Sequence, residues 1–115
     1  MTFSVDGELP DLNTYIAANN NNRYKANKLK RDATELVAWQ VKHVPEIKKP
    51  ARYTFHWIVK NKKKDPDNIA YACKFVFDGL QEAGVLKNDS MAYVREINHT
   101  YSVGKPGVII TVDFI

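Results

Sequence analysis

A chain of 115 residues, 44% hydrophobic and 26% charged, suits one globular domain over residues 1–115 and excludes the charge-rich, apolar-poor composition of a disordered protein. No apolar run reaches the ~18–20 residues that cross a bilayer, and Met1–Asp6 lacks the charged start and apolar core of a signal peptide. The one cysteine, Cys73, cannot close an internal disulfide, so a cytoplasmic protein with no membrane partner is expected.

Thr2–Val5 reads as a short first strand ending in the turn-prone Asp6-Gly7. Asp11 is placed to cap a helix over Leu12–Ala18, and the asparagine run 19–22 then reads as a loop. From Arg23 to about Val41 the residues favour a second helix, with Leu29, Ala33, Leu36, Val37 and Gln40 at helical spacing. Pro45 and Pro50 bracket a connector. Ala51–Lys60 alternates as a strand, with Tyr53, Phe55, Trp57 and Val59 on one face. Ile69, Ala72, Cys73, Val76, Phe77, Leu80 and Ala83 form a continuous apolar stripe over a helix at 68–83, with Asp67 as its N-cap and Gly84 just past its end. Tyr93–Tyr101 and Val108–Ile115 close the chain as strands around a Gly104-Lys-Pro-Gly107 turn. The expected class is α+β, a single domain in the order β-α-β-α-β-β, with the helices on one face of a small mixed sheet.

The net charge of +4 is modest, but its distribution is not. Lys60, Lys62, Lys63 and Lys64 form one dense block, and Arg23, Lys25, Lys28, Lys30 and Arg31 form another. Directly behind the first block come Asp65 and Asp67, at a strand exit and a helix start. Two carboxylates about 4 Å apart repel by about 4 kcal/mol at an effective dielectric near 20. A divalent cation removes that cost, and an all-oxygen ligand set suits magnesium or manganese. A calcium loop of the EF-hand kind does not fit, because counting from Asp65 places Ala70 at position six and Val76 at position twelve. Taken alone, Asp-Pro-Asp-Asn is also an ordinary helix start and the lysines an ordinary solvated loop.

On one straight helix, Asp78 lies eleven residues beyond Asp67 and climbs about 16 Å, too far to share an ion with it directly. Its simplest role is an i,i+4 surface pair with Lys74. Asp89 follows Gly84-Val-Leu-Lys-Asn88 and returns to the Asp67 end only if that stretch runs straight back along the helix. His56 and His99 fall within strand patterns and are read as structural.

In order and spacing, Lys62-Lys-Lys-Asp65-Pro-Asp67-Asn68, Lys74, Asp78-Gly-Leu80, Ala83-Gly-Val-Leu86 and Asn88-Asp89 resemble the RusA family of Holliday junction resolvases, dimeric phage and bacterial enzymes of α+β fold. Asn22-Arg23-Tyr24 resembles a weaker N-terminal element of the same family. The resemblance implies a metal-dependent endonuclease in DNA recombination and repair, cutting a four-way junction as a homodimer. It makes Asp65, Asp67 and Asp89 the ligands of Mg2+ or Mn2+ and Lys74 the catalytic lysine. In this reading Arg23, Lys60, Lys62, Lys63 and Lys64 contact DNA. The family lysine stands four residues after the second aspartate, where this chain has Tyr71. Alignment back from Asp78 places it on Lys74 and implies three extra helix residues. The apolar C-terminal strand is the expected dimer interface. The alternatives are a non-catalytic basic DNA-binding protein whose acids merely cap a helix, and a nuclease for flaps and other branched DNA.

Overall fold

The computed structural model describes all 115 residues. It contains β1 (Thr2–Asp6), α1 (Leu12–Asn21), α2 (Arg23–Val41), β2 (Ala51–Val59), α3 (Pro66–Ala70), α4 (Cys73–Glu82), β3 (Val94–Val103) and β4 (Gly107–Phe114). The strands form one mixed sheet in the order β1-β4-β2-β3, with β2 and β3 parallel and the other pairs antiparallel. The α+β class is as expected. Both helices read between β1 and β2 are present, one more than the order β-α-β-α-β-β counts.

The asparagine run is helical rather than a loop. Asp11 caps α1 by accepting the Thr14 N–H at 2.7 Å, and the helix continues through Asn21. The whole corner is made at Asn22, an extended residue that serves both neighbours: its N–H closes α1 on the Ala18 carbonyl, and its side chain caps α2 at Tyr24. Side-chain oxygens thus satisfy the backbone groups that a helix end leaves open.

Alternation in β2 places Tyr53, Phe55 and Trp57 on the buried side, opposite Val112, Ile110 and Val108 of β4, and Phe3 and Val5 of β1 continue the same apolar face. The helices cover this face and the other face stays open. From α2 the core takes Ala26, Ala33, Val37 and Val41. Leu36, expected inside, is 41% exposed, and Gln40 is spent on the backbone of Asp6, bonding both its N–H and its carbonyl.

The apolar stripe after Asp67 is present, but its helix is interrupted. Asp65, not Asp67, occupies the N-cap, because Pro66 takes the first helical position, where its missing N–H costs nothing. The chain then breaks at Tyr71–Ala72 before α4 begins. The break falls within the interval where the sequence pattern implied three extra residues. Helix α4 crosses α2 and also buries Phe75 fully, against Tyr15 and Tyr71, while its Phe77 meets Tyr53 and Phe55 of the sheet edge-on. At that crossing Gly79 leaves no room for a Cβ against Val37 and the Ala38 backbone.

Strand β4, the expected interface, is paired on both edges, by β1 and β2. It is an inner strand of the sheet, so its backbone offers no free edge to a second copy. The strand with an open edge on the β2 side of the sheet is β3.

Candidate active site

Strand β2 delivers the chain to Lys60, and the lysine-rich turn leads directly into α3. Because β2 and β3 run in parallel, this exit lies beside the last residues of β3, with Trp57 opposite Tyr101. The carboxyl ends of parallel strands commonly frame ligand sites.

Three ties hold the acidic segment. Lys64 reaches Asp11 at 2.7 Å and Glu8 at 3.0 Å. The Asn68 side chain accepts the Asn13 N–H at the start of α1, at 2.9 Å. From the other side, the Tyr101 hydroxyl donates to the Pro66 carbonyl, also at 2.9 Å. Asp11 and Asn68 are the buried polar residues of the fold, and both are spent on the α1 start. Burial pushes the Asp11 carboxyl up, but Lys64 and the Thr14 bonds outweigh it and hold it below the usual range. The same pairing, led by Asp11, raises Lys64.

Of the residues expected to act on DNA or metal, Asp65, Asp67 and Asp89 are exposed and make no ion pair. After Gly84 the chain turns back against the end of α4. Val85 and Leu86 are buried, and both of their N–H groups bond the Leu80 carbonyl. Asp89 lies within electrostatic reach of Cys73, the first residue of α4. Burial pushes that thiol up to about 11, and the Asp89 carboxylate adds to the rise while Lys74 opposes it. On the other flank, burial raises the Tyr101 phenol, with Asp67 and then Cys73 adding to it. Tyr101 thus stands beside Asp67 through its bond to the Pro66 carbonyl, while Asp89 and Lys74 act electrostatically on Cys73 at the start of α4. The side chains do not close into a group of three carboxylates, histidines or cysteines around one point.

The Lys74 ammonium stands 3.7 Å from Asp78, the i,i+4 pair expected, although the facing Asp78 oxygen is buried and lacks a hydrogen bond. The basic block is divided. Lys64 is committed to Asp11 and Glu8, and Lys60 leans on Glu8 at 3.9 Å. Lys62, Lys63 and Arg23 are exposed and unpaired.

Both strand histidines have structural partners. His56 lies between the Thr100 and Ser102 hydroxyls at 2.7 and 2.8 Å. The Trp57 indole N–H donates to His99 Nδ1 at 2.9 Å, and the ring stacks with Phe55. Two residues with visible roles at the acidic segment escaped sequence reasoning. Asn68 carried a signal, as part of the Asp-x-Asp-Asn pattern. Tyr101 carried only its place in an alternating strand, which does not say what stands opposite.

No individually curated protein matches the sequence significantly. The model of the family described as endodeoxyribonuclease RusA matches residues 9–113, a span that takes in Asp65, Asp67, Lys74 and Asp89 and every strand except β1, stopping one residue short of the end of β4. That match covers nearly the whole chain and shows the kinship: the chain belongs to the RusA family of endodeoxyribonucleases.

Proposed function

We propose that the protein resolves four-way DNA junctions by paired phosphodiester hydrolysis, as a two-fold homodimer acting in the cytoplasm. What supports this most is that the three acids of the family pattern are exposed and free of ion pairs, beside unpaired Lys62 and Lys63. Their hard oxygen donors fit Mg2+ or Mn2+. In the arrangement described, gathering Asp65, Asp67 and Asp89 around one ion requires their side chains to move. A bound divalent ion supplies stabilisation of phosphoryl charge and acidifies water.

The chain's own residues do the rest. Asp65 and Asp67 present carboxylates from a segment tied on both sides, and Asp89 presents a third from the returning loop. Lys74 balances negative charge on the phosphoryl or leaving oxygen, and Asp78 keeps its ammonium near the start of α4. Lys62, Lys63 and Arg23 contact phosphates and offset the repulsion between acids and DNA. Two equivalent sites related by a dimer axis match the near two-fold symmetry of a four-way junction.

The test is cleavage of a synthetic four-way junction with magnesium or manganese, run beside a flap and a linear duplex. Asp67→Asn should cut at least 100-fold more slowly than wild type. A mutant as fast as wild type overturns the acidic site, and equal cutting of all three substrates overturns junction specificity.

A further inference from the structure

Helix α3 is too short to hold its own position. Five residues form barely more than one turn, and isolated helices need roughly 12–15 residues to be even marginal. Its N-cap, Asp65, makes no side-chain capping bond. The location of Asp67 is therefore set from outside. On one side, Lys64 and Asn68 tie the segment to the first turn of α1. On the other, the only side-chain hydrogen bond from β3 to this segment is the one from Tyr101.

The atom that Tyr101 holds matters. The Pro66 carbonyl belongs to the planar peptide that contains the Asp67 nitrogen, so fixing that oxygen fixes the plane from which the Asp67 Cα departs. Tyr101 itself has little freedom, being paired opposite Trp57 in a regular parallel register. Tyr101 is 36% exposed and lies outside the buried core, so core packing does not explain its place.

We infer that Tyr101 is a positioning residue for the nuclease reaction, its hydroxyl holding the Pro66–Asp67 peptide so that the Asp67 carboxylate is presented to the reacting phosphate. The inference rests on the acidic site proposed above. A misplacement of about 1 Å near a reacting centre can cost on the order of 100-fold in rate. Tyr101→Phe keeps the ring and removes only the donor.

The experiment compares wild type, Tyr101→Phe and Asp67→Asn by thermal melting, by four-way-junction binding in EDTA and by cleavage kinetics over a manganese titration. For Tyr101→Phe, melting and metal-free junction affinity should match wild type. Its kcat should fall about 10- to 100-fold with KM unchanged, and half-maximal rate should need several-fold more manganese. A kcat within twofold of wild type overturns the role, as does a rate loss matched by equal losses of affinity or folding. If Asp67→Asn is inactive while Tyr101→Phe cuts normally, only the role of Tyr101 falls. If Asp67→Asn cuts normally, the acidic site falls and this inference with it.

Discussion

His99 shows how a ring that looks like a ligand in sequence becomes a structural part. The Trp57 N–H points at Nδ1, so that nitrogen must be unprotonated, and burial holds the imidazole below its ordinary pKa. The folded state thus binds the proton less readily than the unfolded chain. Stability from this pair is fully present above about pH 6.5 and is lost as pH falls through the depressed folded value. Thermal melts between pH 8 and 5 should show the midpoint falling toward acid. His99→Phe should flatten that fall, and an unchanged slope in the variant would remove His99 as its cause. Asp11 is also held low, but its contribution disappears nearer the carboxylate range and does not overlap this window. Sequence made the histidines visible as strand residues, which was enough to set them aside. It could not reveal Tyr101 or the burial of Asp11, because both depend on which residue a strand or loop meets across the fold.

Among the elements, the interrupted α3–α4 unit departs most from its sequence pattern. The apolar stripe specifies which side faces the core but not whether the backbone stays continuous, and the break at Tyr71–Ala72 leaves the stripe in register. The asparagine run misleads for a related reason: asparagine is a poor helix residue in the interior but a good one at ends, and here a single Asn22 serves two ends. Helix α4 has a further dependence that composition does not advertise. Gly79 sits where α4 crosses α2, and a methyl group there meets the Val37 side chain and the Ala38 backbone. Gly79→Ala should cost about 1–3 kcal/mol through overpacking, despite the better helix propensity of alanine. Chemical denaturation measures it. A variant as stable as wild type would mean the two helices separate at no cost.

Across the whole molecule, the division of the lysine block matters more than the net charge of +4. Lys62 and Lys63 carry unpaired charge beside the acids, whereas Lys64 is neutralised by Asp11 and Glu8. Each phosphate contact on duplex DNA contributes about −0.9 to the log–log dependence of affinity on salt. Junction binding in EDTA should therefore lose close to one such contact in Lys62→Ala. Lys64→Ala should leave the salt slope nearly unchanged and lower the melting temperature instead. A full unit lost from the slope in Lys64→Ala would show that Lys64 leaves its acidic partners for DNA.

The sheet order also bears on how the chain reaches this state. Strand β1 is complete by residue 6, yet its partner is β4, which starts at residue 107. At a synthesis rate of about 5–20 residues per second, the first strand waits several seconds or more for its neighbour to be made. Pairing so distant in sequence also slows closure of the sheet, since loop entropy is lost before any contact forms. During that interval Phe3 and Val5 lack their β4 neighbours Ile110 and Val108, which leaves the β1 stretch open to misassociation.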